Sequence, residues 1–420
     1  MSHSGRLTVV SRIGPCSPVP AGEGLNTRQI LLQDRARVKL LQSLIAARQR
    51  RAQPLDSLAE SSTPVSYGIE LFHTNNYIVK VGFGTPTKGE TLVFDTGSDL
   101  TWIRCEPCSS EDCSRQMDSV FDPVKSSSFL DISCNSADCS EFKLSLQGQN
   151  PGCTSSVCDY QVDYKDKSMS AGSLGSDTIT LTSTISVPKF RFGCSHNTRG
   201  KFGTTSGVLG LGPGKVSLVS QSEAQLGKVF SYYLPEQPSS TGFLSFAPDV
   251  TADVKFTPLL NLDNPSFYFV NLRQIKVGDG ILPVSGSIST AGGTLFDSGT
   301  VITRLPPDAY AVLKSTFRQA MANFTLADPE DDLLDTCYDF SGYDRLTAVP
   351  SMALVFGGGV QLDIVVSGIM YGTSKSRMCL AFAPNSSPTD YIIIGNKVQR
   401  GYEVIYDVGK QRLGFKVIRP

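Results

Sequence analysis

Long apolar runs are absent from the 420-residue sequence, and no stretch approaches the 18–20 residues that a membrane-spanning helix needs. The first residues, "MSHSGRLTVVSR", also lack the apolar core of a signal peptide, so we expect either a truncated start or an incomplete gene model. Charged residues make up only 18% of the chain and hydrophobic residues 40%, which is typical of a globular protein. A chain of this length is expected to form two or three packing units.

Histidine is scarce, and one common hydrolase motif is missing. Only His3, His73 and His196 are present, far apart in the chain, so a histidine-based metal site is not expected. No Gly-x-Ser-x-Gly segment occurs, which argues against a serine hydrolase. The sequence therefore predicts neither a metal nor a cofactor.

Cysteine, by contrast, is abundant and clustered, with eight of 11 residues between positions 105 and 194. Cys105 and Cys108 have zinc-ligand spacing, but the other close pairs are separated by four residues, which favours disulfides over zinc. Disulfides indicate an oxidising compartment. We expect the secretory pathway, leading to the extracellular space or the vacuole, with the plastid as the alternative. The glycosylation sequons at Asn323 and Asn385 agree with that route.

Charge divides the chain into a basic leader and an acidic body. Residues 1–68 carry a net charge of +5, and the remainder carries −6. Within the leader, residues 26–52 place apolar side chains at helical spacing between arginines and lysines, which predicts an amphipathic helix. A polar, Pro/Ser-rich linker follows. One alternative for the leader is a disordered remnant without inhibitory power. The other is DNA binding, and the absence of a long lysine run and of interleaved aromatics argues against it.

Short strand-like segments with frequent turn signals dominate the body from Tyr77 onward, which predicts an all-β architecture. Helices are expected only at residues 215–227 and 306–324. The body also repeats itself. "VFDTGSDLTW" (93–102) and "LFDSGT" (295–300) each place an aspartate behind an apolar run, and "GVLGLG" (207–212) and "IIIGN" (392–396) follow them. Isolated turns capped by aspartate are the alternative, but the duplication favours two β lobes with one acid each.

The two acids, Asp95 and Asp297, suit one chemistry if the lobes bring them together. Two carboxyls about 3 Å apart cannot both ionise, so they share one proton. One then takes a proton from a water molecule while the other donates to a substrate carbonyl. The neighbouring residues are expected to support the pair through close backbone approach, hydroxyl hydrogen bonds and a link between the lobes. These are Thr96, Gly97, Ser98, Ser298, Gly299 and Thr300.

Together these segments make the sequence resemble the pepsin-like aspartic proteases, specifically their plant nepenthesin-like branch. The resemblance runs from about Tyr77 to Phe415 and rests on "DTGSDLTWIRCEPC", "FGC", "GVLGLG", "FDSGTVITRLPPDAY", "DTCYDFSG" and "IIIGN". It implies a bilobal all-β aspartic-protease fold with a few short helices, preceded by a helical prosegment. The implied domains are a basic prosegment and linker (1–68), an N-terminal lobe with the flap (69–248) and a C-terminal lobe (249–420).

The resemblance also assigns roles to single residues. Asp95 and Asp297 correspond to the catalytic pair, Trp102 to a tryptophan close to the flap, and Tyr164 to the flap tyrosine that closes over substrate. Lys165 and Lys167 stand where the family flap has glycine, so we expect a stiffer or displaced flap that favours acidic side chains near the cleft.

A disulfide scheme follows from the same resemblance. It implies the pairs Cys105–Cys108, Cys113–Cys194, Cys134–Cys158, Cys139–Cys153 and Cys337–Cys379, with Cys16 unpaired. A further family bridge is missing as a whole, because Tyr233 replaces one cysteine and the C-terminal tail lacks the other.

The resemblance implies an aspartic endopeptidase that hydrolyses peptide bonds at acid pH. Its partners would be protein or peptide substrates and pepstatin-type inhibitors, it would be a monomer, and neither nucleic acid nor membranes are expected as partners. The leader would pair with the acidic body at neutral pH, be released as carboxylates protonate, and end between Ala59 and Gly68. The alternative is a catalytically weak or inactive binding protein, or an inhibitor decoy, on the same scaffold.

Overall fold

The computed structural model describes residues 5–12, 14–18, 26–51, 77–108, 113, 115–146, 152–163, 169–199, 204–237, 239–248, 250–262, 266–283, 293–329, 331–342, 349–374 and 376–418. The predicted flap residues Tyr164, Lys165 and Lys167 and the predicted end of the leader lie outside these ranges. Among the helices described, none is long and apolar enough to cross a membrane.

Strands dominate the chain, as predicted. Those of the first half are β1 Gly5–Ser11, β2 Tyr77–Phe83, β3 Lys88–Asp95, β4 Trp102–Arg104, β5 Leu130–Asp131, β6 Cys153–Thr154, β7 Val157–Asp163, β8 Met169–Thr180, β9 Ser186–Arg199, β10 Gly207–Gly210, β11 Val229–Tyr233 and β12 Gly242–Phe246. Those of the second half are β13 Lys255–Pro258, β14 Phe269–Val270, β15 Leu272–Val277, β16 Gly280–Pro283, β17 Thr294–Phe296, β18 Thr303–Leu305, β19 Leu326–Ala327, β20 Cys337–Asp339, β21 Met352–Phe356, β22 Gln361–Ile364, β23 Met370–Gly372, β24 Arg377–Leu380, β25 Phe382–Pro384, β26 Ile392–Ile394, β27 Tyr402–Asp407 and β28 Arg412–Val417.

The two longest α-helices of the described residues lie close to where the sequence predicts them. The α-helices within the described ranges are α1 Thr27–Arg51, α2 Ala137–Ser145, α3 Leu218–Gln221, α4 Glu223–Leu226, α5 Pro307–Ala320 and α6 Val366–Ile369. The helix predicted at 215–227 is in fact two short helices, α3 and α4, that meet at Ser222. Helix α5 has Pro307 in its first turn, where a backbone N–H would have no partner within the helix, so proline costs no hydrogen bond there. The helix buries Tyr310, Leu313 and Phe317 on one face.

The two halves are built alike around their acidic turns. β3 pairs in parallel with β10, and β17 pairs in parallel with β26, so each acid-bearing strand lies beside the apolar-apolar-Gly strand of its own half. β10 also pairs antiparallel with β4, and β26 with β18. The fold is therefore all-β and bilobal, as predicted, and each acid leaves the end of a buried strand.

One large sheet joins the two halves. It runs from β13, β28 and β27 of the second half through β11 and β12 to β2, β3 and the other first-half strands. The leader contributes β1 to this sheet, antiparallel to both β12 and β2. Sequence reasoning did not predict this strand, although Leu7 and Val9 are buried and Arg6 and Thr8 exposed, the alternation of a half-buried strand.

The cysteine pairing implied by the resemblance is wrong in four of five bridges. The structure pairs Cys105–Cys194, Cys108–Cys113, Cys134–Cys153 and Cys139–Cys158, while Cys337–Cys379 and the free Cys16 agree with the expectation. The reason is the register of the strands: β4 runs parallel to β9 with Ile103 opposite Cys194, which brings Cys105 to a Cα–Cα distance of 5.3 Å from Cys194.

Burial explains the second exchange. Cys139 on α2 and Cys158 on β7 are both fully buried and join each other. Cys153 is exposed and Cys134 half-buried, and these two pair on the solvent side. The spacing of the cysteines along the chain does not show which of them are buried and which are exposed.

Removing the Cys105–Cys194 bridge by replacing both residues with serine is expected to lower the free energy of unfolding by about 4–5 kcal/mol, because the bridge closes a long loop. The matched control is the pair of serine replacements at Cys108 and Cys113, whose sequence separation is 5 rather than 89. It should cost about 2 kcal/mol. Urea unfolding measures both, and non-reducing peptide mapping that links Cys105 to Cys108 would contradict the pairing.

Candidate active site

Asp95 and Asp297 lie side by side where the two halves meet. Asp95 is the last residue of β3 and Asp297 directly follows β17, and both side chains are almost completely buried. Directly before each acid the strand is apolar and buried, at Leu92–Phe94 and Leu295–Phe296, which fixes the backbone of each acid. The side-chain amide of Gln399 donates a hydrogen bond of 3.0 Å to the backbone carbonyl of Asp297 and so stabilises the second acidic turn. Sequence reasoning did not single out Gln399.

Thr96 and Ser298 link the two halves directly beneath the acids. The Thr96 N–H donates 3.1 Å to Ser298 Oγ, and the Ser298 N–H donates 2.9 Å to Thr96 Oγ1. The two hydroxyl oxygens are 3.2 Å apart. This reciprocal arrangement ties each acidic turn to the other, so the carboxylates cannot separate without breaking buried hydrogen bonds.

The other neighbours of the pair differ between the halves. The N–H groups of Gly97 and Gly299 donate to Asp95 Oδ1 (3.0 Å) and Asp297 Oδ1 (3.3 Å), and Thr300 Oγ1 donates to Asp297 Oδ2 at 2.5 Å. The Ser98 hydroxyl does not do the same for Asp95. Its oxygen is buried without a hydrogen-bond partner among the residues described. The expected symmetry of the hydroxyl groups is therefore not met in this arrangement.

A single arginine of the leader helix lies between the two acids. Arg37 Nη2 donates to Asp95 Oδ1 at 2.7 Å and to Asp297 Oδ1 at 2.6 Å. Its Nε donates to Asp297 Oδ2 at 2.8 Å. The guanidinium is buried, and a Cβ atom at either Gly97 or Gly299 would collide with it, so both glycines make room for this contact.

The electrostatics of the three groups follow from this contact. Burial raises the pKa of Asp95, and the charge of Asp297 acts in the same direction, although Arg37 opposes both. Burial acts on Asp297 as well, but Arg37, Thr300 and Gly299 together lower the pKa of Asp297. Burial disfavours the charge on Arg37, yet the two carboxylates raise the pKa of Arg37. The result is a cation held between two acids of unequal proton affinity.

Helix α1 is fixed by more than Arg37. Its apolar side chains Ile30 and Leu31 pack against one cluster of the second half, and Val38, Leu41 and Ile45 pack against another. Gln42 exchanges two hydrogen bonds with the backbone of Tyr391, donating at 2.7 Å and accepting at 2.8 Å. The predicted apolar stripe of the helix is thus the face that covers the acids.

Two family models match the chain, described as the N-terminal and the C-terminal part of xylanase inhibitors, over residues 77–247 and 267–417. An aspartyl protease family protein of Arabidopsis thaliana is 40% identical over 97% of this chain and 86% of its own. The aspartic proteinase nepenthesin-2 of Nepenthes gracilis is 31% identical over 90% of this chain and 85% of its own. The chain belongs to the nepenthesin-like plant aspartic proteases. The crystal structure of conglutin gamma, a basic 7S globulin from lupine seeds, has a TM-score of 0.66 at 20% identity, covers 82% of this chain and 93% of its own, and supports the fold alone.

Other residues singled out in this nepenthesin-like chain fall into different environments. Trp102 on β4 is buried in an apolar cluster with Ile78, Val93 and Tyr160. Asn323 is exposed, as a glycosylation site must be. Asn385 is not a suitable site, because its side chain is buried and its Nδ2 donates 2.9 Å to the Tyr391 carbonyl. The sequon at Asn385 is therefore corrected to a structural asparagine.

Sequence reasoning missed the two buried charged residues of helix α1, which bind to the body of this aspartic-protease chain. Arg37 and Asp34 occupy positions on the same helical face as Ile30, Leu31 and Leu41. The signal was present: two charges interrupt the apolar stripe of an amphipathic helix at i, i+3 spacing, where solvated residues are not expected. A charged residue in such a stripe predicts a buried partner on the surface that the helix covers.

Proposed function

We propose that this chain is the latent form of an aspartic endopeptidase, in which helix α1 blocks the acid pair of Asp95 and Asp297. The observation that carries the proposal is the single Arg37 guanidinium bound to carboxylates of both halves. An arginine in that place excludes both a substrate carbonyl and the water molecule that the reaction consumes. The leader therefore acts as a built-in inhibitor of its own body.

Withdrawal of Arg37 would leave two buried carboxyls close together, and such a pair shares one proton. The ionised acid then takes a proton from water, and the neutral acid donates to the carbonyl oxygen as the water attacks the carbonyl carbon. Collapse of the resulting intermediate returns a proton to the leaving amine and breaks the peptide bond. This is the established dyad chemistry of aspartic proteases and not a new mechanism.

Acid is expected to release the helix, because Arg37 and the shared proton compete for the same carboxylates. A carboxylate whose pKa is lowered by its partner, as that of Asp297 is by Arg37, stabilises the complex above the ordinary carboxyl pKa of about 4 and loses that contribution as the pH falls further. Asp34 and Asp95 contribute with the opposite sign, because burial raises the pKa of each. The acid dependence therefore comes from Asp297, whose ion pair with Arg37 is lost when its carboxylate is protonated.

We expect the full chain to hydrolyse denatured haemoglobin after incubation below about pH 4. The same chain at pH 7, without that incubation, should show no hydrolysis. Pepstatin should abolish the activity. Hydrolysis that is fully developed at pH 7 in the intact chain would contradict latency, and hydrolysis that pepstatin leaves untouched would contradict the aspartic mechanism.

The second candidate is a binding protein without proteolytic activity, and the matching family models favour it by their description as xylanase inhibitors. Removal of the leader separates the two. A folded chain from which the leader has been removed, yet which digests nothing between pH 3 and pH 7, would support binding to another protein as the function.

A further inference from the structure

A buried carboxylate of the leader fills a second polar site beside the acid pair. Asp34 Oδ1 accepts from the Val301 N–H at 2.5 Å, and Asp34 Oδ2 accepts from the Ile302 N–H at 3.3 Å and from Arg304 Nη2 at 2.6 Å. Asp34 and Arg304 are both buried. Three donors from one short segment thus converge on one carboxylate, the arrangement in which such hydrogen bonds are strongest.

The donors belong to the body and are held there without the leader. Val301 and Ile302 follow directly after Thr300 of the second acidic turn, and Arg304 lies on β18 beside β26. Arg304 Nη1 donates 3.0 Å to the carbonyl of Ile302, which fixes the guanidinium from its own strand. When the helix leaves, the site is expected to remain as one cation and two N–H groups that have lost their acceptor.

This site lies close to the acid pair. Asp34 precedes Arg37 by three residues on the same helical face, a rise of about 4.5 Å, so the site lies less than one helical turn from the acid pair. An extended peptide advances about 3.3 Å per residue, so a side chain one to three residues from the reacting bond reaches it. The surrounding residues Leu333, Leu334 and Tyr371 are apolar, which strengthens charged interactions there.

We infer that Arg304 and the N–H groups of Val301 and Ile302 form a carboxylate-binding subsite, which Asp34 fills in the latent chain and an Asp or Glu side chain of a peptide substrate fills after the helix leaves. The inference rests on the proposed peptidase function, because it names the substrate class of the same cleft. It is separate from the predicted effect of the flap lysines, since it depends on Arg304. A competing carboxylate is Asp331, whose charge also acts on Arg304 and which binds Arg35 at 3.1 Å in the latent chain.

The test is a set of peptide pairs that differ only in Glu or Gln, scanned across the positions around the cleaved bond. The full chain is first activated by acid and then assayed at pH 5, where free Glu is mostly ionised. At one position we expect kcat/KM to be roughly tenfold higher for the Glu peptide, equivalent to about 1.4 kcal/mol. An even response at every position would overturn the inference.

Variants identify the residue responsible. Arg304→Gln should bring the Glu/Gln ratio close to one, whereas Arg304→Lys should retain part of it. Arg104→Gln is the matched control, because Arg104 is equally buried after the first acidic turn but bonds to Thr198 and Thr205 of its own half. Should Arg304→Gln fail to fold, the double variant Asp34→Asn/Arg304→Gln removes both buried charges at once. A ratio that survives the loss of Arg304 would contradict the assignment.

A binding measurement separates failure of the subsite from failure of the peptidase function. The full chain with Asp34→Asn and Arg37→Gln has lost both buried charges of its helix and is titrated with fluorescent Glu and Gln peptides at pH 5. Tighter binding of the Glu peptide, dependent on Arg304, supports the subsite even if no peptide is ever cleaved, an outcome that would reject only the peptidase function. Equal binding of both peptides would reject the subsite, but it would not contradict the peptidase function if hydrolysis is observed.

Discussion

Replacing Asp95 or Asp297 by asparagine is expected to abolish acid-dependent peptide hydrolysis, lowering kcat by about 10³-fold or more. An asparagine amide neither accepts the proton of the attacking water nor shares a proton with the opposite carboxyl. The two substitutions should therefore have similar effects, although the acids have different hydrogen-bond partners. The measurement is the initial rate of haemoglobin digestion at pH 3–5 by the acid-activated chain.

Asp177→Asn is the matched control for this pair. Asp177 is also a buried aspartate, but its carboxylate accepts from Ser128 Oγ at 2.6 Å and from the Thr178 N–H at 2.7 Å, on β8 rather than at the acid pair. It should retain activity wherever it folds. Hydrolysis by Asp95→Asn within tenfold of the unaltered chain would remove the dyad from the mechanism.

Replacing Arg37 by glutamine should produce the second large effect, an intact chain that is active without prior acid treatment. Removing one partner of a buried ion pair costs about 3–5 kcal/mol, which corresponds to roughly 10²–10⁴-fold weaker binding of the helix to the cleft. The apolar contacts of the helix and the Gln42 hydrogen bonds remain, so the helix itself should still form. Arg37→Lys should retain part of the latency, because a lysine keeps the charge but not the planar fork.

Arg35→Gln provides the control on the same helix. The Arg35 side chain is 44% exposed and pairs with Asp331 at the rim, so its loss should cost less than about 1 kcal/mol and leave latency nearly unchanged. The measurement is the lag before hydrolysis when the untreated chain is added to substrate at pH 5. A lag as long in Arg37→Gln as in the unaltered chain would show that Arg37 does not hold the leader in place.

Much of the site was predictable because its parts are local. The two Asp-Thr/Ser-Gly turns, the apolar strands behind them and the later apolar-apolar-Gly strands are each short segments whose pattern survives in any context. The helix of residues 26–52 was predictable for the same reason and differs from α1 by one residue at each end. Their pairing across the fold followed from the repetition, since two equal halves with one acid each suggest a shared site.

Other features depended on contacts between distant segments. The disulfides were mispaired because cysteine spacing contains no information on strand register or on which sulfurs face the core. The sequon at Asn385 predicts a glycosylation site, but the side-chain amide of Asn385 donates a hydrogen bond to the Tyr391 carbonyl in the folded protein. Asp34 and Arg37 stood out only as charges in an apolar stripe, and their partners lie roughly 60 to 270 residues away.

By itself, therefore, the sequence determined the all-β architecture, the identity of the two acids and the existence of a basic leader helix, because hydrophobic period and turn chemistry are properties of short segments. Only the tertiary structure decided that Arg37 lies between the acids, that Asp34 fills a site formed by Arg304, and which cysteines join. Each of these is a contact between groups far apart in the chain, and such contacts depend on how the strands register and pack, which no short segment encodes.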